Sequence, residues 1–278
     1  MILRSLVPAK VDGKRFLEVI EDSGMNRRVV EGFRPDGEGL ASPIVYDRFG
    51  TRTGRLTVKS GPGILTMKKE YRDVIVPSFR GGHIVSVDFS ALEVRVLLHE
   101  TGGACEASDL YEHISNELFS GKVDRKSVKA AVIAESYGSG KAALSSFLKI
   151  GGRELDEFVE KIRSYLGIKA LREKVSGQYW KEGHIRNKYG RKVVIDAPQG
   201  HIFVNSYAQS TGADVSLMGF GEVVQSLTKS PGVRPLFVVH DELILDVAPE
   251  RLEDVNRITS VKVPGFDQVF PLKMKILR

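Results

Sequence analysis

The sequence predicts an α+β fold in which a helical insertion interrupts an antiparallel sheet. Three segments have the apolar runs or alternation typical of strands: Ile84–Val87, the hairpin LFVVHDELILDVAPE (Leu236–Glu250) and the C-terminal FPLKMKIL. Residues 108–180, between the first two, carry apolar residues mostly at helical spacing. The order strand, helices, hairpin, helix, hairpin, helix, strand therefore predicts a sheet with helices inserted in its middle.

Capping residues and glycines bound the predicted elements. Ser108 or Asp109 begins one helix and Gly121 ends it, while Asp124 and Gly138 bound the next. A Tyr-Gly turn marks a hairpin. The other predicted elements are a short helix near Lys14–Glu21, a loop over residues 31–43, helices over Lys141–Trp180 with breaks at Gly151-Gly152 and Gly167, the hairpin His184–Asp196, and a long helix GHIFVNSYAQSTGADVSLMGFGEVVQSL.

Composition limits the class of protein. The 278 residues are 42% hydrophobic and 27% charged, which is ordinary for a globular protein with a sizeable core. A single cysteine, Cys105, excludes an internal disulfide framework and a cysteine-based zinc site, and favours a reducing, cytoplasmic setting. No apolar run reaches the roughly 20 residues that span a bilayer, so no membrane association is expected. The formal net charge of +6 is compatible with an anionic partner.

Two aspartates lie where strands end. Asp88 closes the first predicted strand, and Asp241 lies at the tip of the second hairpin. Strands of one sheet can bring such ends together, and paired carboxylates are costly to desolvate unless cations neutralise them. Divalent ions on paired carboxylates also serve phosphoryl transfer. Taken singly, however, each aspartate is better explained as an ordinary turn residue.

One predicted helix has a basic and aromatic face. Arg125, Lys129, Ile133 and Tyr137 recur every four residues, and the two cations lie toward the helix N-terminus, where the helix dipole also favours anions. This face could hold a triphosphate at one end and a base at the other. A solvated basic edge with an aromatic residue packed beneath it explains the same pattern.

Taken in order, several segments resemble the motifs of the family A DNA polymerases, the bacterial polymerase I type. The resemblance runs from Thr51 to the C-terminus. The segments are TRTGRL (Thr51–Leu56), resembling T-x-T-G-R; VDFSALEVRVLLH, resembling motif A; RKSVKAAVIAESYG, resembling motif B; KYGRK and NSYAQSTGAD, resembling two later segments; and VVHDELILDV, resembling motif C.

The resemblance implies an antiparallel-sheet palm with an inserted helical fingers subdomain, and two-metal catalysis of nucleotidyl transfer from dNTPs to a primer 3′-hydroxyl. Asp88 and Asp241 match the aspartates that hold two Mg²⁺ ions, for which Mn²⁺ can substitute. The backbone carbonyl of Phe89 would be a further ligand, and Glu242 would support the metal centre. Lys129 would protonate the departing pyrophosphate.

Other matched positions imply substrate contacts. Arg125 and Lys129 would bind the phosphates, and Tyr137 would lie at the nascent base pair. Glu93 matches the steric gate that rejects ribonucleotides, which favours DNA synthesis over RNA synthesis. The residues that would contact primer-template DNA are Arg55, Asn205 and Gln209, in the minor groove, and Arg191 and His240.

The chain also departs from the family pattern. Ile133 stands where the family has the Phe or Tyr that stacks on the incoming nucleotide. Ser210 replaces a glycine, and His201 stands where arginine is common. The usual N-L-Q-N-I-P stretch is unrecognisable in GPGILTMKKEYRDVIVPSF (residues 61–79).

The resemblance also implies a domain organisation. Residues 1–50 are interpreted as an N-terminal extension, 51–105 as the first part of the palm, 106–195 as the fingers and 196–278 as the second part of the palm. The 50 residues before Thr51 are too few for the family's thumb and exonuclease domain. A separate protein chain is therefore expected to supply thumb or exonuclease functions, in the cytoplasm of a bacterial or phage-infected cell.

Three alternatives remain open. Decay of the stacking position and loop would favour a non-catalytic DNA-binding or scaffold protein derived from a polymerase. A single-subunit RNA polymerase relative is the second, against which Glu93 argues. Two acids alone would also suit a simple phosphohydrolase, which would not need the stripe from Arg125 to Tyr137.

Overall fold

The computed structural model describes residues 2–138 and 141–278. Met1, Ser139 and Gly140 lie outside the described residues; the first belongs to the predicted N-terminal extension and the other two to the predicted fingers. The strands are β1 Lys10–Val11, β2 Val45–Asp47, β3 Thr57–Ser60, β4 Ile75–Val76, β5 His83–Phe89, β6 Ile185–Arg186, β7 Lys192–Val193, β8 Val233–Val239, β9 Glu242–Val247, β10 Ser260–Lys262 and β11 Val269–Ile276.

Helices fill most of the middle of the chain. The α-helices are α1 Gly13–Asp22, α2 Arg27–Glu31, α3 Leu92–Glu100, α4 Leu110–Phe119, α5 Arg125–Tyr137, α6 Lys141–Leu148, α7 Gly152–Tyr165, α8 Ile168–Glu182, α9 Gly200–Leu227 and α10 Leu252–Asn256. Short 3-10 helices occupy Ile2–Arg4, Gly24–Asn26, Lys69–Val74 and Pro249–Arg251.

The chain divides into two compact units. Unit 1 comprises Met1–Phe89, Val215–Val263 and Leu272–Arg278, and unit 2 comprises Ser90–Asp214 and Pro264–Pro271. The assignment of a palm to residues 51–105 and 196–278, and of fingers to residues 106–195, stays a prediction.

Unit 1 is built on a five-stranded sheet with the order β10-β11-β5-β9-β8. β5 lies at its centre and pairs antiparallel with β9 on one side and β11 on the other. β8 and β9 form the predicted hairpin. The α+β class and the antiparallel sheet predicted from the sequence are therefore confirmed.

The two faces of this sheet are covered by different parts of the chain. On one face Phe89 of β5 packs against Phe220 of α9, with ring centroids 4.9 Å apart. The apolar residues of the other face, including Ile84 and Ile244, share a buried cluster with N-terminal side chains such as Phe16 and Phe33. The predicted N-terminal extension thus forms part of the core of unit 1.

The outer edge of β8 is bound by two groups from outside the five-stranded sheet, the backbone of Val7 and the side chain of Tyr46. The Val7 N–H donates to the carbonyl of Pro235 at 2.9 Å. The Tyr46 hydroxyl donates to the carbonyl of Val238 at 2.8 Å and accepts from its N–H at 3.2 Å. Burial raises the pKa of this phenol, which therefore stays protonated as a donor.

Unit 2 is mainly helical, and its local signals act as the sequence predicts. The side chain of Asp109 caps α4, and that of Asp124 caps α5. Gly138 ends α5 at a φ of 73°. There a side chain would meet the ring of His201, so only glycine fits. One detail differs, because Ser120, in left-handed conformation, ends α4 one residue before the predicted Gly121.

Among the residues that the structure describes, no helix is long and apolar enough to cross a membrane.

Candidate functional site

A tight turn presents the central acidic residues of unit 1. Val239 of β8 pairs with Glu242 of β9, so His240 and Asp241 alone form the connection. His240 has a φ of 57°, an uncommon left-handed conformation for a residue other than glycine. The Phe89 N–H donates to the carbonyl of Asp241 at 3.0 Å, which joins the turn to the end of β5. The backbone around the two predicted catalytic aspartates is thus fixed on both sides.

Asp88 lies beside this turn. Its Cα is paired with that of Glu242 on one neighbouring strand and with that of Lys273 on the other. Burial, followed by the negative charges of Asp241 and Glu242, raises the pKa of Asp88 to about 7. Lys69 and Lys273 act in the opposite direction. The structure therefore brings together the two aspartates that the sequence places far apart.

Glu242 is held by two side chains that the sequence did not single out. The Ser86 hydroxyl donates to its Oε1 at 2.5 Å, and Arg72 Nη1 lies 3.3 Å from its Oε2. Arg72 belongs to the 3-10 helix Lys69–Val74, within the stretch that lacks the family pattern. No sequence signal identified it, because its role depends on a contact between distant segments.

His240 and Arg55 belong to the same part of unit 1. Burial and then the positive charge of Arg55 lower the pKa of His240, so its imidazole is neutral at physiological pH. Arg55 is exposed and follows a turn in which Thr51 Oγ1 donates to the Arg55 carbonyl at 2.8 Å. These two predicted DNA-contacting residues therefore lie close enough to interact electrostatically with each other.

An open cavity of about 830 Å³ adjoins the carboxylates. Its lining is strongly charged and includes the acidic residues Asp73, Asp88, Asp241 and Glu242 and the basic residues Lys69, Arg72, Lys273, Lys275 and Arg278. All of these residues belong to unit 1.

The donor set of this site fits a hard divalent cation. Asp88 and Asp241 offer carboxylate oxygens of the kind that Mg²⁺ prefers. Burial and then neighbouring negative charge raise the pKa of Asp88, and a bound cation would favour its ionised form. Glu242 is instead engaged by Arg72 and Ser86. In keeping with this, no cluster of three or more metal-binding side chains occurs within the described ranges. Two carboxylates, with backbone or substrate oxygens, are what this chain offers.

The predicted nucleotide-binding stripe lies on the outer face of α5 in unit 2. Arg125, Lys129 and Ile133 are exposed and Tyr137 is half-buried, while Val128 and other residues of the opposite face are buried. Arg125 forms a 2.7 Å ion pair with Asp109. Both cations of the stripe also lie over the ring of Tyr111, 5.4 Å (Arg125) and 5.8 Å (Lys129) from its centroid.

Arg191 forms an ion pair with another residue of unit 2. Its Nε and Nη2 donate to the two carboxylate oxygens of Asp214 at 3.1 and 2.6 Å, and this ion pair raises the pKa of Arg191. Asn187 Nδ2 also donates to Asp214 Oδ2 at 2.7 Å. The cluster fastens the β6–β7 hairpin to α9, so the predicted contact of Arg191 with DNA would be made by an arginine held in a fixed position.

The other predicted site residues of unit 2 lie on α3 and α9. Glu93 is half-buried in the first turn of α3. A Cβ atom added to Gly212 would lie 3.4 Å from the Cγ atom of Glu93. Asn205 and Gln209 are half-buried one turn apart on α9. The Oδ1 atom of Asn205 is buried and lacks a hydrogen-bond partner within the described structure.

Comparison with a solved structure defines the class of fold. The POL domain of Pol1 from M. smegmatis, in complex with DNA primer-template and dNTP, matches with a TM-score of 0.69 at 20% sequence identity. The match covers 95% of this chain and 55% of that domain's chain. The fold is therefore that of a polymerase domain of the DNA polymerase I type.

Sequence comparison gives the family. The model of DNA polymerase family A matches residues 44–276, so this chain belongs to that family. DNA polymerase I of Helicobacter pylori is 26% identical over 260 residues, which cover 82% of this chain and 28% of the relative. The thermostable DNA polymerase I of Thermus aquaticus is also 26% identical over 260 residues, covering 83% of this chain and 30% of the relative. The chain thus spans less than a third of the length of these relatives.

Proposed function

We propose that this chain is a template-directed DNA polymerase that transfers nucleotides from dNTPs to a primer 3′-hydroxyl. The observation that carries the proposal is the pairing of Asp88, at the end of β5, with the Asp241 turn in a member of family A. The family relationship alone would also suit an inactive descendant. A retained pair of acids with a raised carboxyl pKa is instead typical of a working site.

The role proposed for unit 1 is metal binding and support of the reacting end of the primer. Asp88 and Asp241 would hold divalent ions, with the Phe89 carbonyl as a further ligand. Bound Mg²⁺ would supply stabilisation of the charge that develops during phosphoryl transfer. The carboxylate of Glu242 is already engaged by Arg72 and Ser86. Glu242 would therefore adjust the net charge of the metal centre rather than bind a metal ion directly.

The role proposed for unit 2 is nucleotide binding. Lys129 would neutralise the triphosphate and donate a proton to the departing pyrophosphate. Arg125 would join it after exchanging Asp109 for a phosphate, since both are anionic partners of the same guanidinium. Ile133, whose side chain is exposed, would pack on the sugar and base without offering an aromatic face.

The remaining roles concern sugar choice and the duplex. Glu93 would crowd a ribose 2′-hydroxyl and thereby select dNTPs. Asn205 and Gln209, with Arg55 from unit 1, would donate hydrogen bonds to the minor-groove acceptors that every base pair offers. Arg191 and His240 would contact the template-primer.

A separate protein chain is proposed to act together with this one. Duplex grip increases with the number of phosphate contacts, and a second chain would add to those that this chain makes. The proposal is that such a partner supplies the thumb or exonuclease functions. Primer extension by the chain alone, and again with each candidate partner, tests it; processive synthesis by the chain alone would contradict it.

The central experiment is primer extension with a labelled primer-template, Mg²⁺ and dNTPs. We expect extension by the wild type and a loss of at least 100-fold in Asp241→Ala, because an essential metal ligand is removed. Asp267→Ala, at an exposed aspartate in unit 2, is the matched control and should extend normally. Equal activity of wild type and Asp241→Ala would refute the assignment.

Three further arms separate the alternatives. Incorporation of rNTPs as readily as dNTPs would indicate that the chain is a relative of the single-subunit RNA polymerases. If Glu93 is the steric gate, Glu93→Ala should increase the incorporation of rNTPs. DNA binding without extension under any metal would support the scaffold reading. Release of phosphate from dNTPs without a primer would support a phosphohydrolase.

A further inference from the structure

The cavity of unit 1 has a charged wall that the roles above do not use. Lys273 and Lys275 project from β11, the last strand, and Lys69 comes from the 3-10 helix Lys69–Val74. All three side chains are exposed while lining the cavity. Two further basic residues line the cavity, Arg72, which pairs with Glu242, and Arg278, which donates to the carbonyl of Asp73.

The register of the sheet orders these lysines relative to the acids. Lys273 is paired with Asp88, and Lys275 with Ser86, so the two lysines are successive residues of one face of the strand. Two residues along an antiparallel strand correspond to about 7 Å. The row of cations therefore starts beside the catalytic carboxylate and leads away from it.

We propose that Lys273, Lys275 and Lys69 form a phosphate-binding wall that holds the sugar-phosphate backbone of the primer strand just behind its 3′ end. The inference rests on the polymerase function proposed above and extends it to residues outside the family motifs. It also gives a function to the stretch Gly61–Phe79, which lacks the family pattern but supplies Lys69.

The charge pattern favours the end of a strand over other phosphates. Asp88, Asp241 and Glu242 repel a phosphate, so an uncharged terminal hydroxyl is the part of a strand that suits their end of the cavity. A strand presents one phosphate per nucleotide, and successive phosphates match a row of cations. Pyrophosphate, whose two phosphorus atoms share one oxygen, would engage both β11 lysines only if they bent toward one point.

The test is equilibrium binding of a fluorescent primer-template to the full chain by anisotropy, without divalent metal or dNTP, at a series of salt concentrations. The variant is the double substitution Lys273→Gln with Lys275→Gln, to which Lys69→Gln is added in a second protein. The matched control carries Lys229→Gln and Lys262→Gln, two exposed lysines elsewhere in unit 1. Thermal melting verifies that each variant is folded.

Each lost phosphate contact should lower the slope of log affinity against log salt by about 0.9, so the double variant should lose about 1.8 and the triple variant more. The control should keep the wild-type slope. A primer bearing a 3′-phosphate should bind the wild type more weakly than one ending in a hydroxyl. Equal slopes in wild type and double variant, or equal losses in variant and control, would overturn the proposal.

Two outcomes separate this inference from the proposed function. If wild type binds DNA with the expected slope but extends no primer, the polymerase proposal fails and the phosphate wall stands. If wild type extends primers and the double variant binds DNA normally but loses inhibition by pyrophosphate, the lysines serve pyrophosphate and the inference fails.

Discussion

Asp88→Asn should make the metal-free protein more stable while abolishing the proposed primer extension. Asparagine keeps the shape of the side chain but removes one negative charge from the group formed with Asp241 and Glu242. Raising a carboxyl pKa from 3.8 to about 7 corresponds to about 4 kcal/mol against the ionised form. Because Asp88 is partly exposed, solvent screening reduces this to about 2 kcal/mol.

The effect has a defined pH dependence. The folded protein binds the Asp88 proton more tightly than the unfolded chain, so ionisation destabilises the fold as pH rises from about 4 and fully above about 7. We expect Asp88→Asn to raise the melting temperature in EDTA by about 4–8 °C at pH 8 and by less at pH 5.

Thermal melting followed by circular dichroism measures this, with Asp267→Asn as the control that should change little. Added Mg²⁺ should raise the melting temperature of the wild type and have a smaller effect on Asp88→Asn, because binding to the folded state alone stabilises it. A melting temperature of Asp88→Asn at or below the wild type at pH 8, or a gain that does not vary with pH, would show that burial and the neighbouring carboxylates do not destabilise ionised Asp88.

Other contacts give further predictions. Arg72→Gln should lower the free energy of unfolding in EDTA by about 1–2 kcal/mol, because Glu242 loses the cation that pairs with it. Mg²⁺ should then stabilise this variant more than it stabilises the wild type. An unchanged melting curve would exclude the ion pair. Asp214→Asn should cost about 3 kcal/mol in urea unfolding because it leaves the half-buried Arg191 without its ion pair, and a loss below 1 kcal/mol would contradict this. Tyr46→Phe should cost about 1 kcal/mol by the same measurement and leave primer extension unchanged, since it removes one hydroxyl at the sheet edge.

Local chemistry explains which parts of the fold the sequence could predict. The Asp124 cap and Gly138 determine α5 within the chain segment itself, and the long apolar pattern of α9 matches Gly200–Leu227. The two-residue turn at His240-Asp241 is likewise local, since apolar strands flank it directly. Such elements are readable because neighbouring residues form them.

Very short strand pairs and contacts between distant segments could not be predicted. The short pairs β1–β4 and β2–β3 have too few residues for a periodic signal, and β1 pairs with a strand more than sixty residues away. Polar, glycine-rich composition also concealed the contribution of Phe16 and Phe33 to the core.

The candidate site divides in the same way. Asp88 and Asp241 could be named because motif order compensated for their separation in the chain. Arg72, Ser86 and the β11 lysines acquire meaning only through the register of the sheet and the position of the 3-10 helix. The ion pair of Arg125 with Asp109 also follows from packing of neighbouring helices, which the stripe on α5 does not reveal.

The closed edge of β8 limits how a second protein can bind. An uncovered edge strand invites another chain to extend the sheet through backbone hydrogen bonds. Here the Val7 N–H donates a hydrogen bond to the carbonyl of Pro235, and the Tyr46 hydroxyl is hydrogen-bonded to both the carbonyl and the N–H of Val238. A partner chain that approached this side would have to displace the Tyr46 hydroxyl before adding a strand, so assembly there would proceed through side chains.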